Sequence, residues 1–600
     1  MTPANALPMR AEVAPADCWD LTSLFADDGQ WEAAFREWEP RLEEYARFRG
    51  RLGDGAATLL ACIELDIELD RVGERLGTYA FLKHSEDLGE GRYQEMLARY
   101  QSAAARAGEA ASFIRPELLA LPEETLQGYL ADPRLAPHRL TLERLLRWRP
   151  HTLSPSEERL LAMQAEMAQT ANQVFARLND VDLRFGTVEN EHGERVEVSH
   201  AGFSALLQSP RRELRRAAFE THYEQYDGHR NVLAAALAGS VHRDVYYARA
   251  RNFPSALAAA LFPDRIPDTV YENLIDSVRR HLPALHRYYE VRRRKMGLKD
   301  IHHYDTYVPI LADLSVRHPW DEAVETVLAA LAPLGDEYLD VLRNGLEGGW
   351  CDRYENRGKR SGAFSSGSFD GDPYILMNYR EEVLDHVFTL AHEAGHSMHS
   401  YYSARHQPYQ YYQYTIFVAE VASTFNEQLL ARHLMDRADD DRQRAYLVNR
   451  QIDAMRATIF RQTMFAEFEK IIHDLAERHE PLSVDRFRLV YGELLDAYFG
   501  PRFAIDEALS LECFRIPHFY HAFYVYKYAT GLSAAIALAD RVAGGGQVEL
   551  DDYLGFLKGG CAKDPLDLLR DAGVDMERPE PVDAALDHFG RLVDELDRLI

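Results

Sequence analysis

The chain has 600 residues, of which 46% are hydrophobic and 27% charged, an ordinary composition for a globular protein of one to four domains. Its formal net charge of −28 would repel phosphate groups, so nucleic acid is not expected as a partner. No run of about 18 apolar residues occurs, so no membrane span is expected either.

The cysteines and the N-terminus favour a cytoplasmic protein. Five cysteines are scattered along the chain and form no C-x-x-C pair, so neither a disulfide framework nor a cysteine zinc knuckle is expected. Residues 1–18 contain neither the basic nor the apolar region of a secretory signal and are predicted to be a flexible tail. A reducing cytoplasm is therefore the predicted compartment.

Helical periodicity dominates the rest of the chain. Five apolar residues near the N-terminus follow one another at intervals of three or four and are predicted to line one helix face: Trp31, Phe35, Trp38, Leu42 and Tyr45. An alanine-rich, charged stretch at 157–179 is predicted to be helical for the same reason, and helical patterns continue from about residue 452 to the C-terminus.

Two stretches carry strand signals. Residues 181–199 are predicted to form a hairpin that turns at Glu191-His192-Gly193. Residues 362–379 contain glycine-rich turns followed by an apolar run from Tyr374 to Met377. The residues themselves therefore predict a mainly α protein with one small sheet, placed just before the segment described next.

The segment LAHEAGHSMHS, Leu390 to Ser400, is the most informative part of the sequence. Asn378 and Glu381 have the spacing of a capping box and predict that a helix starts there. An apolar stripe follows and indicates one buried helix face: Leu384, Phe388, Ala391, Gly395, Met398 and Tyr402.

Three residues of this helix have the spacing of a metal site. His392 and His396 are four apart, so they project from one side of the helix and can share a tetrahedral zinc ion. Glu393 lies about 100° around the helix, where it can serve as a general base without being a ligand. A chance H-E-x-x-H would occur in about one such chain in ten. The alternative is a solvated polar helix face.

A third ligand must come from another part of the chain. His399 is seven residues beyond His392, about 10.5 Å along a helix, whereas zinc–nitrogen bonds are about 2 Å, so we expect it to face the substrate or to support the site. Glu420 lies in an apolar helical run at 416–430 and is the better candidate. Glu427, seven residues on, could accept a hydrogen bond from a ligating histidine. The alternative for Glu420 is an ion pair with a buried arginine or lysine.

Two tyrosine-rich stretches flank this pattern. Residues 401–415 hold six tyrosines and are interpreted as a packed loop that could also place hydroxyl groups near the metal. The stretch at 514–531 contains His518, His521 and several tyrosines, and such imidazole and phenol side chains could stabilise the oxyanion of a hydrolytic intermediate. Tyr524 and Tyr528 share one helix face, whereas Tyr526 points elsewhere. Core packing is the alternative for all of these aromatic residues.

These segments together resemble one known family. HEAGHSMH at 392–399, FVAEVASTFNE at 417–427 and RIPHFYHAFYVYKYATG at 515–531 resemble the motifs of oligoendopeptidase F, a member of the thimet oligopeptidase superfamily of zinc metallopeptidases. GAFSSG at 362–367 and WDLTSLF at 19–25 are similar to its strand region and its N-terminal opening, so the resemblance covers nearly the whole chain.

The resemblance implies a fold and a set of site residues. The fold would be a two-lobed helical metallopeptidase with a deep substrate channel and a small β-sheet next to the zinc helix. We divide it into a tail at 1–18, an N-terminal helical lobe at 19–200 and a catalytic domain at 201–600. In the implied site, one Zn²⁺ per chain is bound by His392, His396 and Glu420. Glu393 is the implied catalytic base. The implied candidates for stabilising the transition state are His518, Tyr524 and Tyr526.

The implied function is zinc-dependent, glutamate-assisted hydrolysis of internal peptide bonds in short, unfolded peptides. Two alternatives stay open at this stage. One is a zinc carboxypeptidase or aminopeptidase on a similar helical scaffold. The other is a peptide-binding clamshell without catalytic activity, against which the complete H-E-x-x-H motif and Glu420 argue. The sequence predicts no particular oligomeric state.

Overall fold

The computed structural model describes residues 7–311 and 316–600, and helices make up most of them. In the first half of the chain the helices are α1 Asp28–Arg41, α2 Ala56–Glu86, α3 Gly91–Ala111, α4 Ile114–Ala120, α5 Glu123–Ala131, α6 Arg139–Leu146, α7 Pro155–Met163, α8 Ala165–Ala168, α9 Thr170–Arg177, α10 His200–Leu206, α11 Arg212–Ala250, α12 Ala256–Leu261 and α13 Asp268–Lys295. In the second half they are α14 Trp320–Ala330, α15 Asp336–Glu347, α16 Leu384–His406, α17 Tyr409–Tyr412, α18 Ile416–Asp436, α19 Asp441–Met455, α20 Arg461–Glu477, α21 Val484–Phe499, α22 Tyr526–Gly544, α23 Gln547–Lys558, α24 Pro565–Asp571 and α25 Glu580–Leu599. The mainly α prediction is confirmed. None of the helices within the described residues is both long and apolar enough to cross a membrane.

The strands are short and belong to three small sheets. They are β1 Thr187–Glu189, β2 Arg195–Glu197, β3 Ile301–His302, β4 Cys351–Asp352, β5 Phe364–Ser366, β6 Tyr374–Leu376 and β7 Phe503–Ala504. Strands β1 and β2 pair antiparallel and β3 pairs with β7 in parallel. The third sheet has the order β4-β6-β5, with β4 parallel and β5 antiparallel to the central, fully buried β6. Strand β5 is therefore an edge strand.

The chain forms two compact units, each assembled from three segments. The first unit contains Met1–Thr152, Ser315–His433 and Leu538–Gly573, and the second contains Leu153–Leu314, Leu434–Ala537 and Val574–Ile600. The predicted domain boundaries at residues 18 and 200 stay predictions. Residues 1–6 of the predicted tail lie outside the described residues, and 10–17 contain two short 3₁₀ turns.

An aromatic core supports the β4-β6-β5 sheet within the first unit. All five residues of the predicted N-terminal face are buried, which confirms that prediction, although the α-helix gives way to a 3₁₀ helix at Leu42–Arg47. The rings of Trp31 and Phe35 stack 5.1 Å apart. Trp19 contacts the ring of Tyr374 in β6, at 6.2 Å between centroids. Each fully buried apolar side chain of this kind contributes about 1.5–3 kcal/mol.

The second unit anchors the segment that carries His518. Glu512 is completely buried in a 3₁₀ helix at Glu507–Phe514 and accepts hydrogen bonds from Arg461 at 2.6 Å, Arg515 at 2.7 Å and Tyr491 at 2.7 Å. Burial would raise the pKa of Glu512, but the two guanidinium groups outweigh burial and hold it well below its ordinary value. The carboxylate is thus charged and fully paired.

The strand predictions are confirmed, whereas one helix prediction differs from the structure. The hairpin turns where expected, with Gly193 at a φ of +80°. The stretch at 157–179 is helical as predicted and consists of three short helices, α7 to α9. The predicted start of the histidine helix at Asn378 is wrong, because α16 begins at Leu384. The Asn378 side chain instead donates hydrogen bonds to the carbonyl groups of Arg360 and Gly362, at 3.0 and 2.8 Å.

Candidate metal centre

A cavity of about 630 Å³ in the first unit lies over the histidine helix. Helix α16 contributes His392, Glu393 and His396 to its lining, and α18 contributes Glu420. Residues 363–367, which include the edge strand β5, form another part of the lining. Two helices and one strand edge therefore meet at the residues that the sequence singles out.

His392, His396 and Glu420, the three metal ligands predicted from the sequence, lie close together and form a group that could hold a metal ion, called the ligand group below. The two Nε2 atoms lie 3.2 Å apart, and the Oε2 atom of Glu420 lies 3.4 Å from His392 Nε2 and 3.7 Å from His396 Nε2. Ligands on a tetrahedral zinc ion with bonds of about 2.0–2.1 Å are about 3.3–3.4 Å apart. Two imidazoles and one carboxylate are also a donor set that zinc favours. The residues present therefore fit one zinc ion.

Both histidines point their Nε2 atoms toward this common centre. His392 Nδ1 donates to Glu427 Oε1 at 2.7 Å, which confirms the predicted contact. An acceptor of this kind fixes the tautomer of a ligating imidazole. Burial lowers the pKa of His392, but the hydrogen bond to Glu427 and the charges of Glu427, Glu393 and Glu420 together outweigh burial and keep that pKa above its ordinary value. Burial, together with His392, lowers the pKa of His396 to about 3. The backbone of Ala419 acts to raise the pKa of His396.

Replacing Glu427 with glutamine should weaken zinc binding about 10- to 100-fold, the usual cost of losing a partner that orients a ligand. An amide has the shape of the carboxylate but not its charge, so it holds the His392 N–H less firmly. Competition against a zinc-specific chelator would measure the affinity. The matched control is Glu382→Gln, at an exposed position shortly before α16. This variant should bind zinc like the unmodified protein.

Gly395 allows the two ligand-bearing helices to touch. A Cβ atom on Gly395 would lie 2.5 Å from the carbonyl oxygen of Ala422 and 2.6 Å from Ser423 Cα. Asn426 Nδ2 on α18 adds a hydrogen bond of 3.1 Å to the carbonyl oxygen of Ala391 on α16. Glu420 can reach the two histidines because backbone lies against backbone at this point. A glycine inside a helical pattern is the sequence signal that could have revealed this contact.

Gly395→Ala should therefore lower zinc affinity by about tenfold or more, because overpacking costs about 1–3 kcal/mol and is relieved by separating the two helices. The same chelator competition measures it. Gly492→Ala is the matched control, since Gly492 also lies within a helix but has open space around its Cα. Equal zinc affinities for the two variants would show that the close approach at Gly395 does not position the ligands.

Glu393 has the environment of a general base. Its side chain is 7% exposed, and burial, reinforced by the Glu420 carboxylate and opposed by His392, raises its pKa to about 7. The backbone of Ser365 in β5 acts in the opposite direction and lowers this pKa in part. A base works best when its pKa lies near the working pH. Sequence reasoning missed the Ser365 contact, because nothing in the spacing joins β5 to α16.

His399 is buried and lies outside the ligand group, as its distance along the helix predicts. It is 1% exposed, and its ring stacks on that of Tyr414 with centroids 3.7 Å apart and planes 4° from parallel. Burial lowers its pKa to about 3, so the imidazole is neutral. Tyr414 itself lines the cavity. His399 therefore supports the lining and does not face a substrate.

The other tyrosines of 401–415 largely act as anchors, as the packing interpretation predicts. Tyr409 donates to Asp70 Oδ2 at 2.8 Å, Tyr411 donates to the Pro137 carbonyl at 3.0 Å, and Tyr412 donates to Glu74. These bonds tie the loop between α16 and α18 to the N-terminal helices. Tyr412 and Tyr414 are the two that also line the cavity.

His518, Tyr524 and Tyr526 belong to the second unit, where they have different surroundings. His518 and Tyr524 are half-buried, with ring centroids 6.0 Å apart, and Tyr528 lies 5.4 Å from Tyr524. Tyr526 is completely buried, and its ring lies 5.1 Å from that of Tyr271. Its hydroxyl would need a conformational change to reach a substrate. The roles of Tyr524 and Tyr526 stay predictions, and Tyr524 is the more accessible of the two.

Family models match most of the chain. Residues 205–588 match the model of peptidase family M3, and residues 117–185 match a model described as oligopeptidase F. The first of these matches includes the whole ligand group as well as the His518 segment.

Individual proteins are similar over nearly their full length. The chain is 41% identical over 601 residues to oligopeptidase PepF of Bacillus subtilis, covering 100% of this chain and 89% of that protein. It is 36% identical to an oligoendopeptidase F homolog of Borreliella burgdorferi, covering 98% and 99% of the two chains. Among solved structures, oligoendopeptidase-F from Enterococcus faecium superposes with a TM-score of 0.74 at 35% identity, covering 95% of this chain and 99% of that one.

Proposed function

The chain belongs to peptidase family M3, in its oligoendopeptidase F group, and we propose that it is a zinc-dependent endopeptidase with Glu393 as its catalytic base. Membership makes it a metallopeptidase that acts on oligopeptides. The observation that carries the finer proposal is the geometry of His392, His396 and Glu420, whose donor atoms are spaced for one zinc ion beside a buried carboxylate. The scarce, scattered cysteines make a cytoplasmic location part of the proposal.

Each residue of the site has a distinct task in the proposed reaction. A bound zinc ion would supply a Lewis acid that polarises the scissile carbonyl and acidifies water. His392, His396 and Glu420 would hold that ion. Glu393 would take a proton from the attacking water and deliver it to the nitrogen of the leaving amine. The backbone of Ser365 would help to keep the Glu393 carboxylate charged, because it lowers the pKa of that group in part.

The edge strand β5 suits an extended peptide. Its Phe364–Ser366 backbone pairs with β6 on one side only, and residues 363–367 line the cavity that contains Glu393. An extended peptide can add to such an edge through backbone hydrogen bonds, which fix the main chain and leave side-chain choice open. This mode would bind unfolded segments of many sequences.

Tyr524→Phe should lower kcat about 100-fold while changing KM much less. A donor that meets only the developing oxyanion acts on the transition state, and loss of one such donor costs about 10²- to 10³-fold. Steady-state kinetics on a quenched fluorescent peptide would separate the two constants. The exposed Tyr246 of the same unit gives the matched control, Tyr246→Phe. An unchanged kcat would remove Tyr524 from the mechanism and direct the same test to Tyr528.

A product map would test the proposed function against its alternatives. Mass spectrometry of a mixed peptide library, digested with and without a zinc chelator, should show zinc-dependent cuts at internal bonds. Ladders of single-residue losses would identify an exopeptidase, and intact peptides that still bind would identify a peptide carrier. Either result would contradict the endopeptidase proposal.

A second digestion addresses substrate size. Peptides of increasing length around one cleavable core should be cut, while a folded protein carrying that core in a loop should be spared if the predicted channel encloses the site. A folded domain of about 100 residues has a radius of gyration of about 13 Å, far wider than one extended strand. Equal rates for the folded protein and the free peptide would contradict the enclosed channel without affecting the zinc chemistry.

A further inference from the structure

We infer that the hydroxyl group of Tyr414 binds the backbone of the peptide substrate, and that His399 is the positioning residue that holds the Tyr414 ring in place. The inference rests on the proposed function, because it assigns a substrate contact within the same cavity. It concerns two residues that neither hold the metal nor act as the base.

The first observation is how the Tyr414 ring is fixed. Its face lies against the His399 imidazole, with centroids 3.7 Å apart and planes 4° from parallel. The ring of Phe556 in α23 also lies near the His399 ring, with centroids 5.2 Å apart. The Nδ1 atom of His399 is buried and makes no hydrogen bond within the described part of the chain. The buried imidazole therefore packs between the rings of Tyr414 and Phe556 and fixes the orientation of the phenol ring.

The second observation is where the hydroxyl group lies. Tyr414 Oη and Ser400 Oγ are 3.1 Å apart, and both residues line the metal cavity. When two hydroxyl groups share a hydrogen bond, one donates and the other keeps its own O–H for a third group. The pair therefore offers a hydrogen-bond donor to whatever occupies the cavity.

The third observation places this donor next to the strand edge. Gly367 follows β5 directly, and a Cβ atom there would lie only 2.5 Å from Ser400 Cβ. The end of β5 thus touches α16 at Ser400, beside the Tyr414 hydroxyl. A peptide paired with β5 would have half of its carbonyl groups pointing away from that strand. Tyr414 would supply the donor that one of these carbonyls needs, whereas a phenylalanine would stack equally well but could not donate.

Peptide binding can be measured without catalysis in the zinc-loaded Glu393→Gln protein, by fluorescence anisotropy with a labelled cleavable peptide. Adding Tyr414→Phe should raise Kd about 3- to 10-fold, the usual effect of losing one uncharged hydrogen bond. Tyr246→Phe in the same background is the matched control and should leave Kd unchanged, because Tyr246 is exposed and does not line the cavity.

A double-mutant cycle tests the part assigned to His399. His399→Ala should raise Kd as much as Tyr414→Phe does, and the two changes together should raise it no further, because both remove the same contact. His399→Phe, which keeps a flat ring under the phenol, should recover most of the affinity. Zinc content should stay at one ion per chain throughout.

Two results would overturn the inference. One is an unchanged Kd for Tyr414→Phe, which would show that its hydroxyl does not bind the peptide. The other is full additivity of the His399 and Tyr414 effects, which would show that the stack does not position the ring. Failure of the proposed function would look different, because the unmodified protein would then cleave no peptide in a zinc-dependent manner.

Discussion

Replacing Glu393 with glutamine should leave one zinc ion bound and lower kcat by about 10²- to 10⁴-fold, the range expected for loss of a general base. The amide keeps the size of the carboxyl group but cannot accept the proton of the attacking water. KM should change far less than kcat, because the loss falls on the transition state. Steady-state assays with a fluorescent peptide give kcat and KM, and metal analysis of the same sample gives the zinc content.

The control for this prediction is Glu382→Gln, the same chemical change at an exposed position ahead of α16. It should have the activity and zinc content of the unmodified protein. Loss of zinc from Glu393→Gln would mean that Glu393 is a ligand, in conflict with the observed group of His392, His396 and Glu420. Activity like that of the unmodified protein would exclude Glu393 as the base.

Replacing Glu420 with alanine should weaken zinc binding by at least about 100-fold, since even residues that only orient a ligand are worth about 10- to 100-fold. The Glu420 oxygen is the only carboxylate donor of the group, at 3.4 Å from His392 Nε2 and 3.7 Å from His396 Nε2. Peptide cleavage should disappear at zinc concentrations that saturate the unmodified protein. Excess zinc should restore part of it.

His399→Ala is the informative comparison for Glu420→Ala, because the sequence offers both His399 and Glu420 as the possible third ligand. His399 should be dispensable for zinc binding, since it is buried against Tyr414 and Phe556 and lies outside the ligand group. Metal analysis of the two purified variants decides between them. A zinc-free His399→Ala together with a fully loaded Glu420→Ala would reverse the assignment.

The sequence predicted the ligand group because helical geometry is local. Two histidines four residues apart must share a helix face, and the seven-residue offset to His399 rules out a common ion on a regular helix. Glu420 and Glu427 could be proposed because a carboxylate in an apolar run needs a partner. The structure places the first against both histidines and the second against His392.

The contacts that complete the site join distant segments, and spacing does not reveal them. The backbone of Ser365 lowers the pKa of Glu393, although β5 and α16 are separate segments of the chain. Strand β4, which completes the sheet of β5, is only two residues long. The wrong prediction at Asn378 also results from contacts between distant segments. The Asn378 side chain does not cap a helix, because it donates hydrogen bonds to the carbonyl groups of Arg360 and Gly362 instead. Stacking of Tyr414 on His399 likewise depends on the path of the loop between α16 and α18.

A zinc titration of the metal-free protein tests the central claim most directly. Zinc is removed by a chelator, the chelator is removed, and hydrolysis of a quenched fluorescent peptide is followed as zinc is added back. With one site built from His392, His396 and Glu420, activity should rise from near zero in proportion to added zinc and level off at about one equivalent per chain. Full activity of the metal-free protein, or a rise that continues to two equivalents, would contradict the account.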